Sequence, residues 1–109
     1  MSLNVCLCAP FLVRCAQAVM QQPIAVYFMV DVSFYEYSGG IYTPTTCTSS
    51  TNHMMLAVGY DTTGPVPYWI VKNSWGIRWG EEGYARIKMT GDGEGPCGMY
   101  TVSAAIPLR

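Results

Sequence analysis

The sequence predicts an α+β domain that is mainly β, with one N-terminal helix followed by antiparallel strands. Three observations carry this. Half of the 109 residues are apolar and 12% are charged, a globular balance for one small domain. Leu12, Cys15, Ala16, Val19 and Met20 recur at i, i+3, i+4, i+7 and i+8, which is one face of a helix. Beyond Pro23 that period gives way to short runs of β-branched and aromatic residues, separated by Gly, Pro and Asp.

The helix is expected over Leu12 to Gln21, with Pro23 ending it because the residue before a proline is driven out of the helical region. A second reading of the same region is a secretory signal. Val5 to Val13 would then be its apolar segment and Ala16-Gln17-Ala18 its small-x-small cleavage site, although nothing basic precedes the apolar run. Ile24 to Val30 is nearly all apolar and reads as a buried strand. Ser38-Gly39-Gly40 signals a turn into a short Ile41-Tyr42 strand, and Thr43 to Asn52 is a Ser/Thr-rich loop. His53 to Tyr60 reads as a strand closed by Gly59 and Asp61. Asp61 to Pro67 holds Gly64, Pro65 and Pro67 and is a loop. Tyr68 to Lys72 is a strong strand, and Asn73 to Gly83 is too rich in Gly and Trp to be regular. In Tyr84 to Met89, Tyr84, Arg86 and Lys88 oppose Ala85, Ile87 and Met89, the alternation of a half-buried strand. Thr101 to Ile106 is a last strand.

Six basic and seven acidic residues give a formal charge of −1 without a Lys/Arg cluster, which argues against nucleic acid and anionic membrane as partners. The apolar run from Val5 to Val13 is far shorter than a bilayer span of roughly 20 residues. Of the five cysteines, Cys6, Cys8, Cys15, Cys47 and Cys97, none forms a C-x-x-C pair, so no metal site is expected.

The sole histidine, His53, is followed twenty residues later by Asn73-Ser74-Trp75-Gly76. A lone histidine is more often structural than chemical. Here, however, a base stands in one chain with an amide that can orient it and an indole that can shield the pair. A thiol nucleophile needs such a base to keep its thiolate, and the base needs a third group to fix its tautomer.

The blocks around these residues resemble the papain family of cysteine proteases. Asn52-His53-Met54-Met55-Leu56-Ala57-Val58-Gly59-Tyr60 resembles its histidine signature. Tyr68-Trp69-Ile70-Val71-Lys72-Asn73-Ser74-Trp75-Gly76 resembles its asparagine signature, and Trp79-Gly80-Glu81-Glu82-Gly83-Tyr84-Ala85-Arg86-Ile87 the strand that follows. Gln22-Pro23-Ile24-Ala25-Val26, Ser38-Gly39-Gly40-Ile41-Tyr42 and Cys97-Gly98-Met99-Tyr100-Thr101 match the family's second domain as well.

The resemblance implies that domain's fold, a twisted antiparallel sheet partly closed as a barrel. It divides the chain into an unassigned divergent stretch, 1–13, and a papain-like C-terminal domain, 14–109. It makes His53 the catalytic base, Asn73 its orienter and Trp75 the shield of that pair. It pairs Cys47 with Cys97, the alternative being two free buried thiols. It sets Tyr27 and Met54 where the family lines its main substrate pocket, and Asn52 where many members carry an acidic residue. Tyr27 has a second option, turning into the core, because the alignment near Asp31 needs a one-residue gap.

The family's nucleophilic cysteine belongs to a first domain, in a C-G-[SA]-C-[WY] setting that none of Cys6, Cys8 and Cys15 shares. The expectation is therefore the C-terminal half of a cysteine endopeptidase, inactive by itself, without cofactors. Its partners would be a peptide or protein substrate and a Cys-bearing N-terminal domain, with self-association through the exposed interdomain face. The location implied is a lysosome, a vacuole or the cell exterior. The alternatives are a non-catalytic papain-like domain that binds peptide or protein, and an unrelated β-rich secreted domain.

Overall fold

The computed structural model describes residues 12–44, 47, 51–91, 95–100 and 103–105. Helix α1 (Leu12–Gln21) leads into strand β1 (Ile24–Val30) and a single helical turn, α2 (Val32–Tyr35). Strands β2 (Ile41–Tyr42), β3 (Thr51–Asp61), β4 (Tyr68–Lys72) and β5 (Tyr84–Lys88) follow. A 3₁₀ turn at Pro96–Gly98 and strand β6 (Ser103–Ala105) complete the order.

The six strands form one open sheet in the order β2-β5-β4-β3-β1-β6. Two expected features are corrected. The sheet is mixed, because β2 runs parallel to β5, with Ile41 opposite Arg86 and Tyr42 opposite Ile87. It also stays open, because β2 and β6 end it at opposite edges rather than pairing. The parallel edge is pinned by side chains. The Tyr37 hydroxyl donates to the Gly40 carbonyl at 2.6 Å and accepts from the Arg86 N–H at 3.2 Å. Gly40 N–H in turn donates to the Glu81 carboxylate at 3.1 Å.

The core follows the alternation of the strands. On β1, Ile24, Val26, Phe28 and Val30 are buried while Ala25, Tyr27 and Met29 lie half-buried on the other face. Phe28, Phe34, Trp69 and Tyr100 have no exposed surface, and each such side chain contributes roughly 1.5–3 kcal/mol on leaving water. The buried polar tips are satisfied: Trp69 Nε1 donates to the Tyr100 hydroxyl at 3.2 Å, which donates to the Thr90 carbonyl at 3.0 Å. Helix α1 lays Cys15 and Val19 against this core and packs on β3. The triplet Ala16-Gln17-Ala18, read above as a cleavage site, lies inside α1, and Val5 to Phe11 fall outside the described residues. Among the described residues no helix is long and apolar enough to cross a membrane.

Helix α2 was not expected. It forms because Asp31, extended at φ −134°, caps it by accepting the Phe34 N–H at 3.3 Å and the Ser33 hydroxyl at 2.7 Å. The Ser33 hydroxyl holds the Asp31 carboxyl below its ordinary range. The turn is short, but it drives Phe34 against Phe28, with ring centroids 4.7 Å apart.

Cys47 and Cys97 are joined by a disulfide, with Cα atoms 5.2 Å apart. The bridge spans 50 residues of sequence, and closing a loop of that length stabilises by about 4 kcal/mol in the chain-entropy model. It ties the stretch before β3 to the 3₁₀ turn. Gly98 there adopts φ +79°, and a Cβ on it would lie 3.1 Å from the Tyr27 ring.

Candidate active site

Strand geometry alone brings His53 and Asn73 together. On β3 the inward positions are His53, Met55 and Ala57, and on β4 they are Trp69 and Val71. The β3–β4 register pairs Leu56 with Lys72 and Ala57 with Val71. Continued by one residue, that pairing sets Asn73 opposite Met55, on the same face as His53 and one step along it. The contact is a hydrogen bond of 2.7 Å between His53 Nε2 and Asn73 Oδ1.

Asn73 sits where the chain leaves β4, and its loop is held in place. Asn73 N–H donates to the Gly83 carbonyl at 3.0 Å, and Gly83 N–H to the Trp79 carbonyl at 2.8 Å. Gly80 turns this loop at φ +60°, and a Cβ there would stand 2.6 Å from the Tyr84 carbonyl oxygen, closer than side chains tolerate. The Asn73 side chain is 7% exposed. Its Oδ1 also accepts the Ser74 N–H at 2.7 Å.

That second bond decides the chemistry of the first. A backbone N–H can only donate, so the Asn73 atom facing it is the oxygen. The same oxygen faces His53 Nε2, so Nε2 carries the ring proton. In the neutral imidazole Nδ1 is then the free lone pair. Asn73 Nδ2 is buried with no hydrogen-bond partner among the described residues, which costs about 1–3 kcal/mol. The amide keeps its orientation because turning it over would strip the acceptor from two N–H groups instead of leaving one donor alone.

His53 is half-buried and its ring stacks on Trp75, with centroids 4.9 Å apart and planes at 21°. Trp75 is set within an aromatic cluster. Phe34 and Trp79 meet it edge-on at 5.8 and 5.2 Å, and Tyr35 stacks on it at 4.8 Å and 12°. Trp79 is fixed by donating from Nε1 to the Phe34 and Tyr35 carbonyls, each at 3.2 Å. The sequence reading missed Tyr35. Its signal would have been the Asp31 cap, which forecasts a turn bringing Phe34 and Tyr35 beside the tryptophans.

Two of the pocket candidates, Tyr27 and Met54, fall on the other face of the sheet. Tyr27 and Met54 are direct cross-strand neighbours. Tyr27 is half-buried over Gly98 and does not enter the core, whose β1 positions belong to Val26 and Phe28. Met54 is 46% exposed. Asn52 lies on β3 opposite Met29, and its side chain is outside the described residues. Of the three, Met54 lines a cavity of about 350 Å³, together with Ala25, Met55, Leu56, Lys72, Asn73 and Ser74.

Cys15, Cys47 and Cys97 are all disulfide-bonded, so none is a thiolate beside His53. Cys6 and Cys8 lie outside the described residues.

Comparison with known proteins gives one answer. The family model described as papain family cysteine protease matches residues 13–106. Pro-cathepsin H of Medicago truncatula is 45% identical over 86 residues, covering 76% of this chain and 24% of that protein. Cysteine proteinase 3 of Solanum lycopersicum is 39% identical over 106 residues, covering 94% of this chain and 29% of its own length. Among solved structures, the bromelain protease from Ananas comosus in complex with an inhibitor superposes with a TM-score of 0.79 at 37% identity. That match covers 89% of this chain and 46% of the bromelain chain. The chain thus spans about a quarter of the curated relatives and under half of the solved protease. With its matched residues running through both the His53 and the Asn73 blocks, it belongs to the papain family of cysteine proteases.

Proposed function

We propose that this chain is the C-terminal half of a papain-like cysteine endopeptidase, acting with a separate domain that bears the nucleophilic cysteine. One observation carries the reading: the 2.7 Å bond from His53 Nε2 to Asn73 Oδ1 fixes the tautomer in which Nδ1 is the base.

The chemistry follows from that tautomer. His53 Nδ1 takes the proton of a cysteine thiol brought to the open edge of its ring, giving a thiolate beside an imidazolium. The neutral Asn73 oxygen accepts from the imidazolium without taking its proton. The thiolate attacks the peptide carbonyl carbon, and His53 returns the proton to the departing amine. The acyl-enzyme is then hydrolysed by a water that His53 deprotonates. Trp75, packed on the ring, keeps bulk water from competing for the Nε2 proton.

The half-exposed face with Tyr27, Asn52 and Met54 forms one wall of the substrate cleft in this reading. The adjoining cavity is covered by the Cys-bearing domain, and in its absence that face drives self-association. The Cys47–Cys97 bridge supports an oxidising location, a lysosome, a vacuole or the cell exterior. In this reading the papain-like unit is 14–109, with α1 beginning two residues earlier at Leu12, and the stretch 1–13 is assigned no part.

The test is to purify the chain and assay it with a broad peptide substrate and a thiol-directed epoxide, then repeat with a papain-like first domain added in trans. The expected result is silence alone and turnover in the mixture, lost again with His53→Ala. Turnover by the chain alone that disappears with Cys8→Ser or Cys15→Ser overturns the assignment of the nucleophile to another domain. Silence in both assays favours a non-catalytic module that binds peptide or protein.

A further inference from the structure

We infer that Tyr35 is a positioning residue for His53, acting through Trp75. The inference rests on the reading of His53 as the base, and it names a residue to which neither the family's motifs nor the sequence blocks assign a part. Tyr35 is 52% exposed, yet it is not loose: its ring lies 12° from the plane of Trp75 at a centroid distance of 4.8 Å. Trp75 in turn lies 21° from the His53 ring at 4.9 Å. Two near-parallel rings therefore rest on a single indole. The indole cannot turn about its side-chain torsions without breaking both stacks, and Phe34 and Trp79 abut its edges.

The backbone under Tyr35 is fixed as well. It closes α2, whose start is capped by Asp31 and whose last carbonyls accept from Trp79 Nε1. Asp31, Phe34 and Trp79 thus fix the ring's origin, and Trp75 fixes its plane. Without the Tyr35 ring the indole gains a direction of escape into solvent. The imidazole then loses the surface that holds its plane in line with Asn73 Oδ1. Nothing about the ring requires its hydroxyl, so a phenylalanine should serve equally.

Because His53 is the only histidine, its ring signals in an isotope-labelled sample of this chain are unambiguous. The wild-type chain and Tyr35→Phe should show His53 carbon-bound protons shifted upfield by the indole ring current, and a protected Nε2 proton. In Tyr35→Ala the upfield shift should shrink, and the Nε2 proton should exchange about three- to tenfold faster, the factor that one aromatic stack is worth. Backbone amide dispersion should stay the same. Tyr35→Leu repeats the measurement with apolar bulk but no ring, should the alanine variant fold poorly. Unchanged His53 signals in Tyr35→Ala or Tyr35→Leu overturn the inference. Loss of protection in Tyr35→Phe overturns it too, by placing the effect on the hydroxyl. These readouts need no turnover. A peptidase that assembles but ignores Tyr35 sinks this inference alone, whereas an inactive mixture whose His53 signals still follow Tyr35 sinks the peptidase reading alone.

Discussion

Along β3, neighbouring residues face two surfaces finished to different degrees. The inward face carries His53, Met55 and Ala57, and it ends in a set of packed rings and a fixed hydrogen bond. Among the described residues, Asn73 bonds the His53 ring and Trp75 stacks on it. The outward face carries Met54, Leu56 and Val58, with Met54 46% and Val58 36% exposed, and Met54 and Leu56 line an apolar cavity that also reaches Met55 and Asn73. The His53–Asn73 pair is thus held by packed rings on one face, while the other face leaves apolar side chains exposed. Under the function proposed above, assembly with a second domain would have to supply only the nucleophile, because the base is already oriented.

The sharpest way to break that comparison is to remove the base. In the mixture with a Cys-bearing domain, His53→Ala should lower kcat/KM by about 10⁴-fold or more, since members of one catalytic unit fail together. Met54→Ser, its neighbour on the other face, should leave kcat nearly unchanged and act on KM or on association of the halves. A large kcat loss from Met54→Ser would show that the two faces are not separable.

Stability should divide in the same way. Phe28→Ala, opposite His53 in the register and fully buried, should cost about 3–5 kcal/mol in urea unfolding. Met54→Ser should stay within about 0.5 kcal/mol, as exposed substitutions usually do, and should reduce self-association seen by light scattering. Equal costs would mean that the outward face is already covered in the isolated chain. Replacing both Cys47 and Cys97 by Ser should cost about 4 kcal/mol. Non-reducing mass analysis of the wild type should show the bridge, and its absence there would remove that contribution.

Much of this architecture was legible in the residues, and what escaped has a common cause. The bounds of α1, β1, β2 and β4 fall where periodicity and punctuation put them, because each is set by local pattern. The pairing of His53 with Asn73 was legible from the ordered blocks, and the strand alternation explains it. The parallel edge was not, because two residues, Ile41 and Tyr42, carry no directional signal. Their direction is set by Tyr37, Gly40 and Glu81 reaching Arg86, which lies more than forty residues away in sequence from Tyr37 and Gly40. Helix α2 is one turn, too short for a 3.6-residue period to register. The stack of Tyr35 on Trp75 depends on Trp79 donating back over 44 residues to the end of that turn. Local elements were readable; contacts made by single side chains across the fold were not.

The smallest expected effect concerns the edge farthest from β3. Glu81 accepts from Arg86 Nε at 2.9 Å and Nη2 at 2.7 Å, and from the Gly40 N–H, so it ties β5 to the turn before β2. The Arg86 guanidinium, more than any other group, holds the Glu81 carboxyl below its ordinary value of 4.5. A carboxyl whose folded pKa lies below its unfolded one binds more protons when unfolded. Its contribution is therefore fully present above the ordinary value and is lost as pH falls through the lowered one. Both side chains are about a third exposed, at 36% and 32%, so solvent screening limits the pair to under about 1 kcal/mol. Glu81→Gln should accordingly lower stability by that small amount at neutral pH and flatten the decline below pH 4.5. It should leave the His53 ring signals untouched, since β3 and β4 are not part of this tie. The measurement is urea unfolding from pH 7 down to pH 3, wild type against variant. Parallel curves offset by a constant would mean that the carboxylate's charge contributes nothing and that only its hydrogen bond to Gly40 matters. Converging curves at low pH would place the effect on the ionised pair.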